Sequence, residues 1–138
     1  MRIIAFDIGE RRVGIATGDP SGTVASPLRT YDREDDPEQD AKQLCAIAAQ
    51  QQAEEIVVGM PVSLRGHEET AAQAMREFIE LLQRHTDIPI VVWDERMTTV
   101  IAERALLESG VSREGRRRRR DKVAAALILQ SYLDSHQR

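Results

Sequence analysis

The sequence predicts an α/β domain built around a mixed five-stranded sheet. Near the start of the chain, two apolar segments at 2–7 and 13–19 are separated by a tight polar turn, as in a β-hairpin. Further on, apolar segments alternate with stretches of helical periodicity, and strands joined by single helices pair in parallel through right-handed crossovers. We therefore expect a mixed sheet. Its N-terminal strands pair antiparallel and form the front of the sheet, whereas the strands joined through helices pair in parallel and form the back.

The front of the sheet is expected to gain a third, short strand. The turn signal Asp19-Pro20-Ser21-Gly22 ends the hairpin, and an extended segment follows at about 23–30. Because proline cannot donate to a strand ladder, Pro27 limits this segment to an edge or a bulged position.

A helix and a buried strand come next. The acidic stretch 31–40 forms a solvated loop and the start of a helix that ends near Gln52, with Pro37 in its first turn. The apolar segment 55–60 then reads as a buried strand that Pro61 ends.

The rest of the chain supplies a helix, the last strand and two more helices. Apolar residues recur at helical spacing in the first of these helices: Ala71, Met75, Phe78, Ile79 and Leu82. The segment 88–95 predicts the last strand. A helix at about 98–109 ends at Gly110, and a final helix spans about 121–134.

The whole chain, residues 1–138, is expected to form one domain. With 41% hydrophobic and 30% charged residues, it is long enough to bury one core. Cys45 is the single cysteine, which excludes an intrachain disulfide and suits a reducing cytoplasm. No apolar run approaches the ~20 residues of a membrane span, and the N-terminus lacks a secretory pattern. We therefore expect a cytoplasmic protein that does not bind membranes.

Four acidic residues are expected at one edge of the sheet. Asp7 ends the first strand, while Asp94 and Glu95 end the last, and parallel strands share the edge at which they end. Asp121 begins the last predicted helix, which could cross this edge. Neighbouring carboxylates repel unless cations lie between them, and such oxygen ligands suit Mg²⁺ or Mn²⁺. The arrangement predicts a metal site suited to phosphodiester hydrolysis.

Each acid also has a purely structural interpretation. Asp7 could bond the amides of the following turn, Asp94 and Glu95 could be a solvated strand end, and Asp121 could cap its helix. No single residue decides between the interpretations. Their convergence at one edge, beside a strongly basic segment, favours the metal site.

Basic and polar residues around this edge are candidates for binding a nucleic acid. The net charge of −4 argues against such a partner, but acids crowd 32–40 while the basic segment GRRRRRDK spans 115–122. The arginine run is a solvated loop, a mobile phosphate clamp, or both. A surface salt bridge is an alternative role for Arg96. The candidate contacts are Gly9, Arg11, Gly59, Pro61, Ser63, Arg65, Arg96, Thr98, Arg116, Arg117, Arg118, Arg119 and Arg120.

Four segments resemble the YqgF family, also called RuvX, of Holliday-junction-resolvase-like and pre-16S rRNA nucleases. They are AFDIGERRVGIATGD, EEIVVGMPVSLRG, VVWDERMTTVIAE and DKVAAALILQSYL, and together they extend over almost the whole chain. The resemblance implies a ribonuclease H-like fold with helices on both faces of the sheet. It also implies phosphodiester cleavage at an acid cluster that uses Mg²⁺ or Mn²⁺.

By position, the resemblance makes Asp7 the first metal ligand, Asp94 or Glu95 the second, and Asp121 the third. Adjacent strand residues point to opposite faces, so one of Asp94 and Glu95 would bind metal while the other contacts Arg96 or Thr98. The implied partner is nucleic acid, with 5′-end maturation of pre-16S rRNA preferred to cleavage of four-way DNA junctions. Ribosomal-subunit association is a further expectation, and both a monomer and a homodimer stay open.

Two functions of other classes also stay open on the sequence. The Asp-Ile-Gly segment and its hairpin resemble the first phosphate loop of actin-like and sugar-kinase ATPases, although this chain has one such loop and one domain. The other alternative is a nucleic-acid-binding assembly factor without catalysis. ATP hydrolysis without nucleic-acid cleavage would favour the first, and unimpaired cellular function of an Asp7→Asn variant would favour the second.

Overall fold

The computed structural model describes residues 1–60, 69–94 and 113–136, with the backbone alone at 60, 69–72, 94 and 113–120. The helix predicted at about 98–109 lies outside these residues. The described elements are β1 (Ile3–Ile8), β2 (Arg12–Gly18), β3 (Ala25–Asp32), α1 (Pro37–Gln50), β4 (Glu55–Met60), α2 (Glu69–His85), β5 (Ile90–Asp94) and α3 (Arg113–His136).

The five strands form one mixed sheet in the order β3-β2-β1-β4-β5. The pairs β1–β2 and β2–β3 are antiparallel, whereas β1–β4 and β4–β5 are parallel. The predicted antiparallel front and parallel back are therefore confirmed. Strand β3 lies at an edge, and its register with β2 shifts between Ile15 and Ala16, next to Pro27, where the ladder lacks a donor.

Described helices cover both faces of the sheet, as predicted. On one face, α1 and α2 pack against large side chains that include Phe6, Ile15 and Val58. On the other, α3 packs against smaller ones that include Ala5 and Ala16, and these allow the helix to lie close to the strands. Side chains alternate along a strand, so Asp7 belongs to the α3 face with Ala5.

Helix α1 begins as the sequence predicts. Asp36 is its N-cap residue, with extended backbone and a carboxylate that accepts the N–H groups of Glu38 at 3.1 Å and Gln39 at 3.3 Å. Pro37 follows in the first turn, where its missing N–H removes no helical bond. Capping satisfies two of the donors that the start of any helix exposes.

The predicted start of the last helix is wrong. Residues 116–120 were expected in a loop before a helix start at Asp121, but α3 begins at Arg113 and includes all five arginines. Arginine is a strong helix former and no proline interrupts the segment, so local propensity extends the packed helix backwards despite like-charge repulsion. Asp121 therefore lies inside α3 and does not cap it. None of the described helices, α3 included, has the length and apolar character needed to cross a membrane.

Candidate active site

Asp7 lies at the carboxyl end of β1, at the edge where the parallel strands β1, β4 and β5 end. Its register partners are Gly14 in β2 and Gly59 in β4, and Gly59 is paired in turn with Trp93 of β5. Glycine carries no side chain, so neither adjacent strand crowds the partly buried Asp7 carboxylate at this level of the sheet. The predicted position of Asp7 at this shared edge is confirmed.

Helix α3 crosses the sheet directly over Gly14. A Cβ added to Gly14 would overlap the carbonyl group of Asp121 and would lie 3.0 Å from the backbone nitrogen of Lys122. Only glycine allows the strand and helix backbones to approach this closely. Because Gly14 is the register partner of Asp7, this contact brings Asp121 to the Asp7 end of the sheet.

The Asp121 carboxylate is held by an arginine that the sequence reasoning missed. Nε of Arg12 donates to Oδ2 of Asp121 at 2.7 Å, and the two side chains are 24% and 21% exposed. The prediction named the neighbouring Arg11, which is exposed. Alternation along β2 was the available signal, because Arg12 and Gly14 lie on the same face of that strand.

The β1–β2 turn beside Asp7 is closed by Gly9. Its N–H donates to the Arg12 carbonyl at 2.9 Å, and a Cβ on Gly9 would lie only 2.9 Å from that same oxygen. From outside the turn, Nη1 of Arg33 donates to the Gly9 carbonyl at 2.9 Å, and the Arg33 N–H donates to the Arg11 carbonyl at 2.8 Å. The turn is therefore fixed from within by Gly9 and from outside by Arg33, the residue that follows β3.

Arg33 is itself anchored on a buried carboxylate. Asp40 is 1% exposed and accepts from Nε of Arg33 at 2.9 Å, from the Tyr31 hydroxyl at 3.0 Å and from the Glu34 N–H at 2.9 Å. Burial, followed by the bond to Asp40, raises the pKa of Tyr31 to about 12, which keeps its hydroxyl protonated as a donor. The Arg33 guanidinium also lies 4.9 Å from the ring centre of Phe78. This network ties α1 and α2 to the turn beside Asp7.

The donor chemistry at this edge suits a divalent cation. Asp7 and Asp121 provide carboxylate oxygens, which Mg²⁺ and Mn²⁺ prefer. Within the part of the chain that the structure describes, no three His, Cys, Asp or Glu side chains are placed together to hold a metal ion. Asp94 is the register partner of Met60 and so ends at this same edge, but its side chain and Glu95 lie outside the described residues. The third acid stays a prediction.

The arginine run lies at the same end of the fold. Along α3, Asp121 contacts the sheet near its carboxyl edge, while Tyr132 donates to Glu55 at the start of β4, at 2.6 Å. Residues 113–120 therefore project past the edge that carries Asp7, by ~12 Å at 1.5 Å per residue. Gly59 is buried beside Asp7. The remaining predicted contacts lie outside the described residues: Pro61, Ser63, Arg65, Arg96 and Thr98.

Comparison with known proteins shows the family. The family model for RuvX, described as Holliday junction resolvase, matches residues 1–135. The chain belongs to the RuvX family. This RuvX chain is 43% identical to a protein of Halothermothrix orenii and 42% identical to one of Desulforamulus reducens, both named "Putative pre-16S rRNA nuclease". The matches cover 97% and 98% of this chain and 95% and 98% of those proteins.

A solved structure shows the fold of this RuvX chain. T. thermophilus RuvC in complex with a Holliday junction substrate matches with a TM-score of 0.60 at 14% identity, over 99% of this chain and 96% of that one. A second RuvC structure, from Thermus thermophilus, matches with a TM-score of 0.53. The predicted ribonuclease H-like α/β fold is confirmed. RuvX membership also places the chain in a family of nucleases and resolvases.

Proposed function

We propose that this RuvX protein is a divalent-metal-dependent nuclease that hydrolyses phosphodiester bonds during 5′-end maturation of pre-16S rRNA. The placement of Asp121 over Gly14, the register partner of Asp7, carries the proposal because it brings the backbones of two acids from distant parts of the chain to the same level of the sheet. The shared name of two full-length relatives supports the substrate. A cytoplasmic location and association with a ribosomal subunit belong to the same proposal, since that substrate would be met there.

The proposal gives each acid a role. Asp7, Asp121 and one of Asp94 and Glu95 would hold Mg²⁺ or Mn²⁺. The bound ion would activate a water and stabilise the leaving oxygen. The strand ladders on both sides of Asp7 fix its backbone, and the contact with Gly14 fixes that of Asp121, so little reorganisation is needed on binding. The arginine-rich start of α3 would contact substrate phosphates.

The test compares cleavage of a 5′-extended pre-16S rRNA and of a four-way DNA junction under identical metal and salt. The proteins are the wild type, Asp7→Asn, and the control Asp87→Asn, which changes an exposed acid just before β5 at the opposite edge of the sheet. We expect the wild type and the control to cleave the rRNA, and Asp7→Asn to bind it without cleavage. Cleavage that continues in excess EDTA would show that the metal mechanism is wrong.

A junction resolvase is the second candidate, and the family description favours it. Preferential cleavage of the four-way junction by the wild type would decide for this function. It would also call for a homodimer, because a two-fold junction presents two equivalent strands, whereas trimming an RNA end does not. An Asp7→Asn variant that supports normal cellular function would instead indicate a non-catalytic assembly factor.

A further inference from the structure

We infer that Arg12 is a positioning residue for the metal site: its side chain orients the Asp121 carboxylate. The inference rests on the proposed function, since it concerns the same site.

The contact has the geometry of a strong, directed interaction. The separation of 2.7 Å between Nε of Arg12 and Oδ2 of Asp121 is within the range of charge-assisted hydrogen bonds. Roughly three quarters of each side chain is shielded from water, which strengthens the attraction relative to an exposed pair. The pair joins residues that are 109 positions apart in the chain.

Two separate contacts converge on Asp121. The close approach at Gly14 sets the position of its backbone, and the bond from Arg12 sets the orientation of its carboxylate. Both come from the same face of β2, two residues apart. An ionised carboxylate has two acceptor oxygens, so engagement of Oδ2 leaves Oδ1 to ligate a cation.

The change in affinity for the metal ion distinguishes a positioning role of Arg12 from a purely electrostatic one. Loss of one positive charge, taken alone, would tighten the binding of a cation. Loss of orientation would weaken it, and partners that orient metal ligands are typically worth 10–100-fold in affinity. A contact that merely fastened β2 to α3 would alter the unfolding temperature and leave the affinity of the folded protein for the ion unchanged.

The test measures Mn²⁺ binding calorimetrically, without nucleic acid, for the wild type, Arg12→Gln and Arg12→Lys. The control is Arg29→Gln, which removes an exposed positive charge from the neighbouring strand. We expect about tenfold weaker binding by Arg12→Gln, partial recovery by Arg12→Lys, and wild-type binding by the control. Circular dichroism verifies that each variant is folded. Unchanged or tighter Mn²⁺ binding by Arg12→Gln would overturn the inference.

Mn²⁺ binding by the Arg12→Lys and Asp7→Asn variants decides the remaining outcomes. If Arg12→Gln does not fold, Arg12→Lys decides alone, because it keeps the charge but not the Nε geometry; wild-type affinity in that variant would overturn positioning. If the wild type binds no Mn²⁺, or Asp7→Asn binds it as the wild type does, the proposed metal mechanism fails together with this inference. If Asp7→Asn loses binding while both Arg12 variants retain it fully, the inference about Arg12 alone fails.

Discussion

Gly14 and Asp121 meet backbone to backbone, with the Asp121 carbonyl so close that a Cβ on Gly14 would overlap it. Gly14 is also the register partner of Asp7, so a position without a side chain joins two acids that lie more than a hundred residues apart in the chain. The contact explains how a helix from the end of the chain reaches the first hairpin. The most direct test of the site is therefore a substitution at Gly14, because it disturbs this contact without removing a charge.

Gly14→Ala is expected to push α3 away from β2. The added methyl group would overlap backbone atoms that cannot rotate aside, at a cost of about 1–3 kcal/mol of unfolding free energy. Because the displaced segment carries Asp121, cleavage should fall further than the lost stability explains. Urea unfolding and single-turnover cleavage, measured well below the unfolding transition, check both effects.

Gly18→Ala is the matched control, on the same strand and under the same helix. Its Cβ would lie 3.6 Å from the Ile3 carbonyl and 3.7 Å from Cδ1 of Leu133, which are ordinary contacts. We expect its unfolding free energy to stay within about 1 kcal/mol of the wild type. Equal effects of the two substitutions would show that the close approach at Gly14 is unimportant.

Asp40→Asn is expected to loosen the turn beside Asp7. The amide cannot serve all three donors that converge on this buried carboxylate, and it leaves Arg33 without its partner. Breaking a buried pair costs about 3–5 kcal/mol. Thermal unfolding measures the loss, and Asp35→Asn, an exposed acid in the preceding loop, should have almost none. A similar small effect of both changes would contradict the role of this network.

Asp19 makes the stability of the β2–β3 connection depend on pH. The Ser21 hydroxyl and then the Val24 and Thr23 N–H groups lower the pKa of Asp19 from 3.8 to about 2. A depressed folded-state pKa stabilises the protein above the unfolded value of about 4, and this contribution is lost as pH falls towards 2. The difference in unfolding free energy between the wild type and Asp19→Ala should be constant from pH 7 to 5 and shrink below pH 4.

The Asp87→Ala variant is the control for this titration, because it removes an exposed acid elsewhere. Its unfolding free energy should follow that of the wild type at every pH. A constant difference between wild type and Asp19→Ala down to pH 2 would mean that Asp19 has an ordinary pKa.

Cys45 is expected to be unreactive in the folded protein. It is buried, its thiol donates to the Leu82 carbonyl at 3.4 Å, and burial raises its pKa to about 11. The thiolate is the reacting form, so a disulfide reagent at pH 8 should label Cys45 slowly, and faster as urea unfolds the chain. An Ala46→Cys variant, at an exposed position of the same helix, should add one fast-labelling thiol. Rapid native labelling of the wild type would contradict the prediction.

The arginine run is expected to contribute salt-dependent binding. Replacing Arg116 to Arg120 by Ala should weaken nucleic-acid binding and reduce the slope of log affinity against log salt by roughly 0.7–0.9 for each lost phosphate contact. The control replaces two exposed arginines outside the run, Arg29 and Arg84. A slope unchanged by the five substitutions would mean that the run does not contact phosphates.

Local patterns in the sequence determined the strand order along the chain, the hairpin, the parallel back of the sheet and the place of Asp7. Each of these follows from side-chain periodicity, turn residues and crossover geometry, which act over short segments or hold for all parallel sheets. The bulge near Pro27 and the capped start of α1 at Pro37 belong to the same class, because proline and capping chemistry act locally.

The tertiary structure decided which side chains meet. The like charges of the arginine run predict a solvated loop, and this prediction of where α3 starts is wrong. Helix propensity and the packing of the downstream residues extend the helix to Arg113. The pairing of Arg12 with Asp121, and the fit of Asp121 over Gly14, join segments whose contact leaves no local periodic signal. Such contacts form only when the sheet and the helix on its face are packed together, so the sequence alone determined the edge of the site and the packing of α3 onto β2 determined its arrangement.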